Sequence, residues 1–503
     1  MKKSLVVLTI VIMMLSISAI PVFADDPGTG NSDFVIQNID AAVATVTVDY
    51  YDQTGAADVP GTPITINGHG SRVFEASTLP IGDGWIGSVV VSADKQVAAM
   101  TNLTWQSTFG SIDDQITGAA YSGTYNPGTD LYFGYATIKP VGSIPGKQAR
   151  FSIVTIQNAG TADAHIHMSY YNQTTGAVTG PIADTIGAGR SKSYNLSLTA
   201  DPKVPALGGN WQGSVFVHSD DQPIAGVVTT HWAGAASSQW GSAYEGVSAG
   251  ASTIYGPSVS RVNKESDPAV GTWVRSSNVL VMNTGTAPAN VMIGFFATGS
   301  TIPAMVINDT IPPKQMGEYN TRFGSPTNAA YPAAAFQTAL GNTFNGAVAV
   351  TCTNGQPIAG VVHGFWNRPD ENSASSYTMI DHGATDIYIP YAPRKQPSAW
   401  TTWSKIAVSN LSASTANLTI TFYKTDGTAA LPAPILATIA GNSGDAYNTR
   451  TGSDSGAVPA SAFTALGSAF VGNVWIHSTQ PIIGVVNVIF KPTESNTYGA
   501  YIP

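Results

Sequence analysis

Along "ATVTVDYY" (residues 44–51) apolar and polar side chains alternate, and the same alternation returns three more times. One parity carries Ala44, Val46, Val48 and Tyr50 in the first copy and Ala164, Ile166, Met168 and Tyr170 in the second. The third copy gives Ala289, Val291, Ile293 and Phe295, and the fourth Ala416, Leu418, Ile420 and Phe422. Successive side chains of a strand point to opposite faces, so a parity that is apolar in every copy marks a buried face. The other parity, Thr45, Thr47 and Asp49 in the first copy, is expected to meet solvent.

A second pattern follows each of these stretches. It reads "WIGSVVVSADKQVAAMTNLTW" from Trp85, "WQGSVFVHSDDQPIAGVVTTHW" from Trp211, "FNGAVAVTCTNGQPIAGVVHGFW" from Phe344 and "FVGNVWIHSTQPIIGVVNVIF" from Phe470. An aromatic, a glycine, an alternating strand, a short polar turn and a second strand together predict a β-hairpin in each copy. The heptapeptide "QPIAGVV" stands at residues 222–228 and again at 356–362. Its proline suits a strand entrance that needs no ladder amide, and Gly226 and Gly360 suit a close approach of the facing sheet. Its repetition is read as packing.

The repeats divide the chain into an N-terminal leader at 1–24 and β-sandwich repeats at 25–128, 129–251, 252–384 and 385–503. Segments ending in "GSRVF", "RSKSYNL", "MGEYNTR" and "GDAYNTR" predict a strand crossing to the other sheet. Links such as "YFGYATIKP", "IYGPSVSR" and "IYIPYAPR" predict the first strand of the following repeat, which repeat 1 lacks. About seven short strands in about 115 residues suit a sandwich; propeller blades take only about 40 to 50. Only "YPAAAFQTAL" has helical periodicity. The fold class expected is all-β, with four tandem immunoglobulin-like β-sandwich domains on a string.

The pattern "QN.G...A.V...YY...G", then "W.GSV.V.S..PIAGVV", "Y.G" and "IY.P", resembles the tandem immunoglobulin-like, adhesion-type repeats of large secreted and surface-layer proteins of bacteria. The resemblance covers nearly all of residues 31–503. It implies a fold and a cell-surface setting, and carries no catalytic residues.

The start, "MKKSLVVLTIVIMMLSISAIPVFADD", has Lys2 and Lys3, an apolar run and small-residue spacing at Val22 and Ala24, the form of a secretory signal peptide cleaved after Ala24. After it no apolar stretch approaches the ~20 residues of a membrane span. Charged residues are 11% of the chain, and the net charge is −9 with 22 basic residues thinly spread, which speaks against nucleic acid. The single Cys352 can form no disulfide within the chain and sits in an apolar strand, where a structural thiol is expected.

Candidate chemistry is sparse. His165 and His167 lie on one strand face about 7 Å apart, a spacing that a metal could in principle bridge, but outward polar positions on a solvated strand are the preferred reading and no metal site is assigned. Asp25, Asp26, Asp33, Asp113 and Asp114 could offer oxygens to calcium, but without EF-hand-like spacing no calcium ligand set is assigned and no cofactor is expected. No nucleophile elbow, HExxH or distinctive carboxylate pair is present, so no enzyme is expected. Trp85 and Trp211 align with Phe344 and Phe470, and Trp105, Trp232 and Trp366 with Phe490, as core aromatics. Trp240, Trp400 and Trp403 fall outside this equivalence and are the candidate ligand-facing aromatics, with a cell-wall or surface glycan as partner.

The terminal "YGAYIP" echoes "IYIP" at 387–390, so Ala500, Tyr501, Ile502 and Pro503 are the candidate assembly strand for repeat 1 of a neighbouring copy, giving a head-to-tail homopolymer. The function expected is a non-catalytic, secreted structural protein of the cell surface, a subunit of a surface layer, sheath or filament. The alternative is an adhesin or glycan-binding surface protein.

Overall fold

The computed structural model describes residues 8–14, 29–55, 58–107, 115–139, 149–197, 203–233, 239–264, 273–368, 371–490 and 494–503. The chain is all-β, in antiparallel sheets. The second repeat shows the plan. One layer orders Val178–Ile186, Ala164–Asn172, Trp211–Ser219 and Asp130–Lys139. The other joins Ser191–Asn195, Ala149–Asn158, Ile224–Ala233 and Gln239–Glu245. The first strand, Asp130–Lys139, belongs to both, pairing with Trp211–Ser219 and then, at Ile138 and Lys139, with Ala149–Asn158.

The alternating parities are buried as read: Ala164, Ile166, Met168 and Tyr170 are all 0% exposed. Each large apolar side chain removed from water contributes about 1.5–3 kcal/mol, and every repeat places such rows on both layers. The helical reading holds for Ala333–Leu340, which buries Phe336 and Leu340. Gly226 and Gly360 do meet a facing strand: a Cβ at Gly226 would lie 2.6 Å from Leu131 and Phe133, and one at Gly360 would lie 2.8 Å from Ile254.

The predicted hairpin is corrected. Trp211–Ser219 and Ile224–Ala233 do not pair; they lie in different layers, each with its own neighbours. The same holds for Gly87–Ala93 and Val97–Ser107. In the last repeat Gly472–Phe490 runs through both layers, its start pairing with Ala416–Lys424 and its end with Thr402–Asn410. The polar turn is an arch over the core, because both strands carry apolar rows that must face each other across the sandwich rather than lie side by side.

The expected string of separate units is also corrected, since the repeats close into a ring. Two residues before the strands Ser71–Phe74, Ser191–Asn195, Met316–Asn320 and Gly444–Asn448, each repeat has a left-handed turn residue: His69 (φ 57°), Gly189 (φ 71°), Lys314 (φ 62°) and Asn442 (φ 54°). In a non-glycine residue this backbone costs on the order of 1 kcal/mol. The turn docks on the preceding repeat. Ser88 Oγ donates to the Gly189 carbonyl at 2.7 Å, and Ser214 Oγ to that of Lys314. Asn442 lines a crevice with Ala347, the alanine at the same position of repeat 3. Repeat 1 completes the circle on repeat 4, with Asn473 Nδ2 donating to the His69 carbonyl at 3.1 Å. Gln37 Nε2 then donates to Asn473 Oδ1 at 2.8 Å, and the His69 ring stacks between Tyr423 and Trp475.

Candidate functional site

The last strands of the four repeats, Gln115–Ser122, Gln239–Glu245, Glu371–Thr378 and Glu494–Gly499, converge at the middle of the ring. Small side chains permit this: Ala119, Ala120, Ser242, Ala243, Ala374, Ser375 and Ser376 are all buried. Thr497 Oγ1 donates to Ser375 Oγ at 2.7 Å, and Ser122 Oγ to the Gly499 carbonyl at 2.8 Å. In three of these strands a tyrosine near the end ties the strand to its sandwich. The Tyr377 hydroxyl donates to the Ser258 carbonyl at 2.8 Å and accepts the Ser258 N–H at 3.1 Å, and Tyr244 and Tyr498 hold Tyr135 and Tyr391 in the same way.

One residue beyond these tyrosines the repeats differ, having Ser122, Glu245, Thr378 and Gly499. The Glu245 carboxylate accepts the Ser122 N–H and the Thr378 hydroxyl, the latter at 3.0 Å. Burial raises its pKa above the ordinary carboxyl range, against the lowering effect of these hydrogen bonds. It borders a cavity of about 270 Å³ that also includes Tyr125, Asp381, His382 and Tyr501. His382 Nδ1 lies 2.5 Å from Asp381 Oδ1 at the exposed rim. Such a cavity can hold a small polar ligand by hydrogen bonding. The sequence offers one signal of it, the lone carboxylate among four equivalent positions.

The candidate ligand-facing aromatics do not form one cluster: Trp400 and Trp403 meet, and Trp240 packs on Phe365 instead. Trp403 is buried, while Trp400 is half-buried and meets it edge to face, with Arg394 and Arg450 over its ring at 4.8 and 5.8 Å. Trp240 is half-buried against Phe365 on another repeat. Trp85, Trp211, Phe344 and Phe470 are buried as expected, as are Trp105 and Trp232, whereas Trp366 and Phe490 are half-buried.

His165 pairs with Asp221 at 2.6 Å and His167 with Asp220 at 3.0 Å, both on the outer face. The hydrogen bond to Asp221 raises the His165 pKa. Among the described residues no group of three or more His, Cys, Asp or Glu is placed to hold a metal ion. Asp33 accepts the Ala76 N–H at 2.8 Å, and burial raises its pKa. Asp25, Asp26, Asp113 and Asp114 lie outside the described residues. Cys352 is buried, its thiol donating to Asn354.

Ala500, Tyr501 and Ile502 are buried in their own chain, and Pro503 is exposed. The Tyr501 N–H donates to the Tyr388 carbonyl at 2.8 Å, and that of Tyr388 returns the bond at 3.0 Å. Head-to-tail donation by this segment would require repeat 4 to release it. Among the described residues no helix is long and apolar enough to cross a membrane.

No family model matches the chain, and no curated protein matches it. Among solved structures it is similar to the Anabaena sensory rhodopsin transducer, with 25% identity over 20% of this chain and 95% of that one, at a TM-score of 0.16. It is also similar to the structure titled Thermotoga maritima 1070, with 14% identity over 24% of this chain and 95% of that one, at a TM-score of 0.19. At such TM-scores these likenesses say nothing of this chain's function.

Proposed function

We propose that the protein is a non-catalytic, secreted structural protein of the cell surface, built of four immunoglobulin-like β-sandwich repeats and serving as a subunit of a surface layer, sheath or filament. The observation that carries this reading is the inter-repeat clasp. Ser88, Ser214 and Asn473, the polar residues that stand at one position in three repeats, are spent on holding one repeat to the next. A ring fixed this way is a stiff building block, and its weakly charged surface suits lateral packing. The leader form of residues 1–24 supports export. Negative-stain electron microscopy of residues 25–503, with calcium and with chelator, tests the reading. Regular sheets or filaments are expected, and isolated particles under both conditions overturn it.

A second reading, a glycan-binding surface protein, draws on the axial cavity beside Glu245, whose volume of about 270 Å³ suits a single sugar ring. Saturable binding of a monosaccharide that is lost in Glu245→Ala favours it.

A further inference from the structure

The first-strand position of repeat 1 is filled by Leu8–Met14, the apolar part of the leader. Its register matches that of the other repeats. Thr9 stands opposite Ser92 as Asp130 stands opposite His218, Thr253 opposite Thr351 and Asp386 opposite His477. Ile10 and Ile12 thereby occupy the positions of Leu131 and Phe133, and of Ile387 and Ile389, which are buried in repeats 2 and 4. In those repeats the strand comes from within the folded chain; in repeat 1 it comes from a segment with the sequence form of a cleaved leader.

Removal of residues 1–24 would leave Gly87–Ala93 as a sheet edge, paired on one side only with Ala44–Asp52. Val89 and Val91 at that edge belong to the buried core. Such an edge offers unpaired backbone donors and acceptors beside an uncovered core, the arrangement that captures an extended strand. The chain's own tail is not free to fill it, since Ala500, Tyr501 and Ile502 are buried at home and paired with Tyr388.

We propose that repeat 1 is a strand-acceptor site by which the exported ring is attached to an anchoring protein. The leader fills the slot until it is removed. Thereafter the slot takes an extended segment of a second, different protein, antiparallel to Gly87–Ala93. The segment's chemistry is set by the resident strands. Leu131, Phe133 and Tyr135 in repeat 2, and Ile387, Ile389 and Tyr391 in repeat 4, favour an apolar residue at each of two alternate positions and an aromatic at the next, whereas repeat 3 has Ile254 and Gly256 at the first two. This inference rests on the surface-protein reading and supplies the means of attachment.

The probe is a fluorescein-labelled peptide with the sequence of Asp130–Lys139, "DLYFGYATIK", added to residues 25–503, with the full chain as the filled reference. Saturable binding of one peptide per shortened chain is expected, with none to the full chain. A peptide carrying aspartate at the positions of Leu131 and Phe133 should bind at least about tenfold more weakly. Hydrogen exchange of the amides in residues 87–93 that face away from Ala44–Asp52 should slow about tenfold or more when the peptide binds. If residues 25–503 fold only when the peptide is present, the same conclusion follows. A folded shortened chain that ignores the peptide overturns the proposal, as do equal binding of the aspartate peptide and, among residues 87–93, protection without it of the amides that face away from Ala44–Asp52. Sheets or filaments without peptide binding would leave the structural reading standing and remove only the slot.

Discussion

Two histidines buried between repeats predict how the protein responds to mild acid. His231 stacks on Phe151 and meets Trp105 edge to face, and His363 lies among Tyr135, Trp232 and Tyr244 with Nδ1 2.8 Å from Ser376 Oγ. Burial lowers both pKa values to about 3, far below the ordinary 6.5. Below pH 6.5 the unfolded chain therefore binds protons that the folded one refuses. Stability is complete above that value and is lost as the pH falls toward 3, at about 1.4 kcal/mol per unit for each histidine. Between pH 7.5 and 5 this amounts to about 2 kcal/mol each and about 4 kcal/mol together, a large share of ordinary protein stability. The carboxylates lowered by partners, such as Asp184 and Asp386, act below about pH 4 and leave this window alone. His165, whose pKa is raised, works in the opposite sense but is exposed and screened; Glu245 and Asp33, whose carboxyl pKa values burial raises, also add stability as the pH falls, so the histidine contribution is read as the difference between each variant and the wild type. The assay is urea unfolding followed by tryptophan fluorescence across pH 5–7.5. His231→Phe copies Phe365, which stands at the equivalent position of repeat 3, and His363→Asn copies Asn102 and Asn487. Each variant should lose about 2 kcal/mol less stability than the wild type between pH 7.5 and 5. Variants whose stability falls with acid as steeply as that of the wild type would refute the reasoning.

Three further substitutions test the packing argument. Asn473→Ala removes the bonds to His69 and Gln37 that join repeat 4 to repeat 1, and should cost about 2–3 kcal/mol by urea unfolding while exposing the 69–71 turn to proteolysis. Gly226→Ala drives a methyl group to within 2.6 Å of Leu131 and Phe133, and should lower stability by about 1–3 kcal/mol, read as a fall in Tm. Tyr244→Phe removes the hydroxyl that bridges the Tyr135 amide and carbonyl, with an expected cost of about 1–3 kcal/mol by the same measurement.

Strand identity and buried faces were legible because burial repeats with period two. Ala44, Val46, Val48 and Tyr50 lie inward while Thr45 is exposed, as alternation requires. The glycine of "QPIAGVV" was legible for a related reason, since a residue without a side chain inside an apolar strand implies a close neighbour. Which strands pair was less legible. A short polar turn between two apolar strands is written alike whether it closes a hairpin or arches over the core, and only partners distant in sequence decide between them. Ring closure was not legible at all. The four docking turns present His69, Gly189, Lys314 and Asn442, which share a backbone conformation and no side-chain type. Their receivers Ser88, Ser214 and Asn473 are polar residues next to a glycine that all four repeats share, which read as ordinary surface until their partners are seen. The axial cavity depends on strands that end far apart in sequence, so only the odd carboxylate of Glu245 hinted at it.

The central claim is that four repeats close into one ring, and solution X-ray scattering of monomeric residues 25–503 tests it most directly. A closed ring should give a radius of gyration near that of a single compact chain of this length, about 23 Å. A radius roughly twice as large, as for four units laid end to end, would contradict the clasp between repeats 4 and 1 and the account built on it.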